Sequence, residues 1–162
     1  KKIKSPHRSA VRMLLKISAY NKQDTLLPDK WEIEHIFPQK WQSTYFPNVT
    51  DDIVKEKIEH IGNKLPFEKK LNIIAGNGYF VKKKNEYVIS NIAITKNFGE
   101  SSSSDWTLDD ITERDLQVST EVIDTLTKWK QEYNTPPGNS LHSEATPEEL
   151  AMIEEFKKRG LI

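Results

Sequence analysis

A chain of 162 residues is long enough to bury one sizeable core, and 30% charged against 36% hydrophobic residues suits a globular domain in water rather than a membrane protein. With no cysteine, a disulfide framework and a thiolate metal site are both excluded, so a metal would have to be held by His, Asn or carboxylate side chains, and a cytoplasmic location is expected. The net charge of +0 hides an asymmetry: residues 1–84 carry 17 Lys or Arg against 9 Asp or Glu, and residues 85–162 carry 7 against 15, which fits either a polyanion partner or two solvated faces of opposite sign.

In chain order, Lys1 to His7 are charged but lead into no apolar core with a small-residue cleavage site, so no secretory signal is expected. Ser5-Pro6 followed by Val11, Leu14, Leu15 and Ser18 predicts an amphipathic helix whose other face lines up Arg8, Arg12 and Lys16. Residues 1–25 are therefore read as a basic N-terminal helix. Leu26 to Asp29 is a turn. Trp31 to Ile36 alternates apolar and polar side chains as a half-buried strand does, and Pro38 closes it. That strand puts Glu32 and Glu34 on one face, with His35 next to its end.

Residues 41–60 read as a loop and a short helix capped by Thr50 and Asp51 and stopped by Gly62-Asn63. Lys64 to Phe67 reads as a second brief strand or an extended segment, and a strand there is expected to be shortened or bulged at Pro66 because proline lacks a ladder donor. Glu68 to Ile74 is weakly helical, Gly76-Asn77-Gly78 is a turn, and Phe80 to Val88 is a helix carrying Lys82, Lys83 and Lys84. Asn97 to Asp105 reads as a Ser- and Gly-rich loop. Ile111, Leu116, Val118, Val122, Ile123, Leu126 and Trp129 then stripe one long helix. Residues 132–162 are a linker and a short terminal helix that opens on the capping box Thr146-Pro147-Glu148-Glu149.

One group of polar residues has chemical potential. Glu34-His35-Ile36-Phe37-Pro38 sets a carboxylate beside an imidazole, and Gly62-Asn63 and Leu71-Asn72 follow in order. A histidine can act as a base, and one carboxylate with one Asn carbonyl is an adequate protein contribution to a magnesium site that keeps its waters. Each piece has a simpler structural use by itself: a buried His beside a carboxylate is often a structural pair, and Gly-Asn is a common turn. His60 is read as a helix-end residue favoured by the macrodipole, and the four tryptophans as packing.

The stretch from Ile33 to Ser90 resembles the HNH, or ββα-metal, nuclease domain found at the C-terminal end of GmrSD-like modification-dependent restriction enzymes and related phage-defence proteins. The resemblance rests on Ile33-Glu34-His35-Ile36-Phe37-Pro38-Gln39, Ile61-Gly62-Asn63-Lys64-Leu65, Leu71-Asn72, and Phe80 with Lys83 and Tyr87, and extends to Trp106, Ile111, Arg114 and Trp129. It covers about residues 26–131 and implies an α+β fold, a small ββα-metal core flanked by N- and C-terminal helices.

By that resemblance His35 is the general base, Asn63 holds the loop that orients it, and Glu34 and Asn72 are the ligands of Mg²⁺ (or Mn²⁺). Lys83, Lys69, Lys70 and Lys64 become candidate phosphate contacts. The implied activity is metal-dependent nicking of double-stranded DNA, which other parts of the protein would test for modification, through an N-terminal sensing NTPase domain. A catalytically inactive DNA-binding or protein-interaction module on the same scaffold is the alternative, and an RNA-cutting nuclease using the same site is a third.

Overall fold

The computed structural model describes residues 8–23, 25–43, 48–134 and 146–160. In chain order its elements are α1 (Arg8–Tyr20), β1 (Trp31–His35), α2 (Asp51–Ile58), a 3-10 turn (Ile61–Asn63), β2 (Lys64–Glu68), α3 (Lys69–Ala75), α4 (Phe80–Tyr87), α5 (Ala93–Glu100), α6 (Leu108–Asn134) and α7 (Pro147–Lys158). Mixed helix and sheet agree with the expected α+β class; α2 and the 3-10 turn separate the two paired strands, and α3 follows β2 directly. Two compact units, residues 1–121 and 122–162, divide within α6. Among the described residues no helix is long and apolar enough to cross a membrane.

In the first unit, Val11, Leu15 and Ala19 recur every four residues along α1 and join Trp31, Phe37, Val54, Leu65, Phe67 and Tyr87 in one buried cluster. The predicted start of α1 at Ser5-Pro6 lies outside the described residues. Of its cationic edge, Arg8 meets Glu32 at 2.5 Å, and Arg12 stacks 3.7 Å above the Trp31 ring. These contacts give part of the edge a packing job against β1.

Strands β1 and β2 are antiparallel, with Trp31 opposite Glu68, Ile33 opposite Pro66 and His35 opposite Lys64. Bonds from Ile36 N–H to the Asn63 carbonyl (3.0 Å) and from Lys69 N–H to the Lys30 carbonyl (3.2 Å) bracket the ladder and fix its phase. Hydrogen-bonded pairs therefore fall at Glu32 and Glu34, and Ile33 with Pro66 is a pair between them. The missing N–H of Pro66 would point away from β1, so the expected shortening or bulge at Pro66 is corrected: β2 runs unbroken through the proline.

A two-stranded sheet is marginal in water, and here side chains from the surrounding helices take the carbonyls that point away from the ladder. Arg12 donates to the Trp31 carbonyl at 2.9 Å, Lys83 to that of His35 at 2.5 Å, Arg114 to that of Lys64 at 2.9 Å and Thr95 to that of Pro66 at 2.5 Å. Both edges are thereby tied to helices α1, α4, α5 and α6.

The loop expected over Asn97 to Asp105 is also corrected, because α5 extends through Glu100. Gly99 had signalled a break, but its place is one of close packing: a Cβ there would stand 2.7 Å from both Tyr87 Cβ and Val88 N. In α6 the buried seats go to Ile111, Arg114, Val118, Val122, Thr125 and Trp129, while Leu116 and Ile123 from the predicted stripe are 71% and 61% exposed. The second unit consists of the rest of α6 and α7, where Trp129 stacks on Phe156 with centroids 5.8 Å apart and the predicted Thr146–Glu149 capping box is formed.

Helix α6 lies so close to the 3-10 turn that a Cβ on Gly62 would come 2.1 Å from the Ile111 carbonyl and 2.7 Å from Asp115 N. Backbone on both sides leaves no flexible neighbour to move. Gly62→Ala is expected to lower unfolding free energy by about 2–4 kcal/mol, read from denaturant titration. A change under about 0.5 kcal/mol, the size of an ordinary surface substitution, would show that the approach is not tight.

Candidate active site

Asn63 is wholly buried, and its side-chain amide uses its full bonding capacity. Its Oδ1 accepts from Phe37 N–H at 2.7 Å and from the Trp106 indole N–H at 3.2 Å, while Nδ2 donates to the carbonyls of Phe37 (3.1 Å) and Ile58 (3.0 Å). One amide thus joins the segment after β1, the end of α2 and the approach to α6. The turn holding it is gripped from α6: Arg114 donates to the Gly62 carbonyl at 2.7 Å, and Asp115 accepts from Gly62 N–H at 2.6 Å. Asp115 also bonds Nδ1 of His60, whose ring is turned toward α6. Burial draws the Arg114 guanidinium down to about 10.

That hub fixes the segment that follows His35. Further along, Asn77 clamps Lys40 through both its backbone groups, at 3.0 and 2.5 Å, and the Tyr79 hydroxyl accepts from Gln42 N–H at 3.0 Å. The His35 side chain is 17% exposed. Its Nε2 lies 3.6 Å from Glu59 Oε1 and 3.4 Å from the Gln39 side-chain amide. Burial and the nearby Lys64 hold its pKa down to about 4, against an opposing pull from Glu59. The ring is therefore neutral at neutral pH. Glu59 went unmarked in the sequence, where it reads as one more charge at a helix end; Gln39 lay inside the quoted motif without a role.

Glu34 and Lys83 meet each other. The Lys83 ammonium is 2.7 Å from Glu34 Oε1, which also accepts from the Tyr87 hydroxyl at 2.8 Å. Burial lowers the Lys83 pKa, opposed by Glu34, and raises that of Tyr87. Both donors use Oε1, which leaves Oε2 outside this pairing. Lys64 is buried too, with its ammonium on the Glu59 carbonyl (2.7 Å) and carboxylate (3.1 Å). Lys69 and Lys70 are exposed at the start of α3. Asn72 is half-buried on the same helix, and its side chain bonds no other described residue.

Among the described residues no group of three or more His, Cys, Asp or Glu is placed to hold a metal. A cavity of about 360 Å³ opens elsewhere, beside Phe98, Trp106 and Glu113, and has none of the candidate residues in its lining.

In this small α+β domain a strand-end imidazole kept neutral by burial lies beside an amide and a carboxylate. The chain belongs to the family of the C-terminal domain of GmrSD restriction endonucleases, whose model matches residues 1–119. Neither a curated protein nor a solved structure gave a match. Membership implies a nuclease of the restriction-endonuclease type, with DNA as its substrate.

The low pKa of His35 also makes stability depend on pH. Between the unfolded value of 6.5 and the folded value of about 4, only the unfolded ring takes up a proton, so this site lowers native stability as pH falls through that window and has no effect above it. Denaturant titrations of wild type and His35→Gln at pH 7 and 4.5 are expected to show a smaller acid loss in the variant. Equal losses would mean that the ring is not held neutral.

Proposed function

We propose that this domain is an HNH-type, divalent-metal-dependent DNA nicking enzyme with a ββα-metal core, in which His35 is the general base. The observation that carries the reading is the environment of the His35 ring: neutral, at the end of β1, with Nε2 toward Glu59 and no hydrogen bond from Nδ1 to a described residue. A carboxylate can only accept, whereas the Gln39 amide can present either end, so Glu59 favours the tautomer with its proton on Nε2. That leaves the Nδ1 lone pair to take a proton from water. The hydroxide so formed attacks phosphorus, the bond to the 3′ oxygen breaks and that oxygen takes up a proton from solvent, while Glu59 is the neighbour that favours the imidazolium until it returns its proton to water.

Mg²⁺ or Mn²⁺ fits the donors that remain. Glu34 would hold it through Oε2, the oxygen not used by Lys83 and Tyr87, and Asn72 through its unengaged side-chain oxygen. Two protein oxygens with waters suit a small hard cation. When bound, the ion supplies positive charge at the scissile phosphate and the departing oxygen. Lys83 and Tyr87 then serve to orient Glu34, and Asn63 orients the segment after His35.

Phosphate contact falls to Lys69 and Lys70, which are exposed, while Lys64 and Lys83 act through their positive field from inside the fold. One such site cuts one strand. Restriction of modified or phage DNA would need a sensing NTPase domain of the same full-length protein, which this reading places N-terminal to the domain.

With supercoiled plasmid and Mg²⁺, wild type is expected to produce nicked circles, and chelation by EDTA to stop it. His35→Ala and Asn72→Ala should each lower the rate by about 100-fold or more while DNA affinity in a gel-shift assay is kept. Equal rates in the three proteins would contradict the assignment, and unaltered DNA binding without any nicking in wild type would favour a silent binding module.

A further inference from the structure

Helix α3 turns its apolar residues both ways. Leu71 packs against the core cluster and Ala75, four residues on, belongs to it, yet Ile73 and Ile74 are 70% and 62% exposed. One turn earlier, in line with these isoleucines, stand Lys69 and Lys70, both exposed and in no ion pair with a described residue. The helix sequence KKLNIIA contains no acidic residue. Its outer face is therefore two cations followed by two branched apolar side chains. By helical period Asn72 lies on the border of that face, beside Lys69 and Ile73.

Two isoleucines left mostly in water are less favourable than buried ones, so the face is suited to being covered. A second copy of the chain meeting it through α3 alone would offer these lysines no carboxylate, because α3 carries none. Duplex DNA offers the matching order, with anionic phosphates at the rim of a groove and flat apolar base faces within it once a step is opened.

We propose that Ile73 and Ile74 form an apolar wedge that enters a base-pair step of duplex DNA beside the cut, while Lys69 and Lys70 hold the flanking phosphates. The proposal rests on the nuclease reading and adds how the substrate is shaped. Opening a step bends the duplex, which moves backbone toward Asn72 and makes flexible pyrimidine–purine steps the preferred positions of cutting.

The test uses the His35→Ala chain with Mg²⁺, so that the DNA stays intact, and a short duplex carrying a donor and acceptor dye at its ends and 2-aminopurine in the central step. Binding is expected to bring the ends closer and to brighten the 2-aminopurine. Adding Ile73→Ser and Ile74→Ser, both at exposed positions, should abolish both signals and weaken binding roughly tenfold. In an otherwise wild-type chain the same pair should reduce plasmid nicking.

Bending and brightening unchanged by the serine pair would overturn the wedge, as would a His35→Ala chain that binds without bending while wild type nicks; the nuclease reading survives both. Loss of self-association by the serine pair, with the DNA signals intact, would also overturn it and assign the face to a second copy. Wild type that neither binds nor nicks DNA removes both proposals.

Discussion

The Asn63 amide is the contact on which the site depends. Its four bonds tie Phe37, Ile58 and Trp106 to a single side chain that has no capacity left over. An aspartate there would lose the two Nδ2 donors and turn an oxygen toward the carbonyls of Phe37 and Ile58; an alanine would remove all four bonds, each lost buried hydrogen bond costing about 1–3 kcal/mol. The segment after β1 has few apolar anchors of its own beyond Ile36 and Phe37. Hydrogen bonds set its path and so set where His35 stands.

Around this hub the fold spends buried cations on the sheet. Lys83, Lys64 and Arg114 are each almost fully sealed from solvent, and each donates to a backbone carbonyl: Lys83 and Arg114 at strand edges, Lys64 at the end of α2. Buried charge is costly unless it is paired and fully bonded, so it contributes less to net stability than to fixing one geometry. Removing either Lys83 or Glu34 alone would strand its partner. Burial keeps the imidazole uncharged, and two of these cations, Lys64 and Lys83, add to it by opposing protonation. Structure and chemistry share these residues, and the lysines nearest His35 are therefore unavailable for direct phosphate contact in this arrangement.

Periodicity in the sequence was enough for α1, β1, α4 and α7, each of which carries its own local pattern, but not for α5. The motif around His35 and the two asparagines was legible through family resemblance, not spacing. Long-range pairings were not legible: Glu34 with Lys83, Lys40 with Asn77 and Gly62 with Asp115 join residues that look like unrelated surface polar groups until the chain is folded. Pro66 and Gly99 misled for a common reason. Each has a local breaking tendency that position cancels, Pro66 by lying between hydrogen-bonded pairs and Gly99 by giving room to Tyr87. Glu59 was hidden because nothing local distinguishes it from the other acids of its segment.

The central claim is that His35, Glu34 and Asn72 serve one phosphate. Its most direct measurement is anomalous diffraction from a crystal of the His35→Ala chain grown with duplex DNA and Mn²⁺. The account predicts a manganese peak bonded to Glu34 Oε2 and to the Asn72 side-chain oxygen, with a DNA phosphate oxygen completing the shell and residue 35 beside that phosphate. Manganese bound to DNA with neither side chain attached, or attached at a place remote from residue 35, would contradict it.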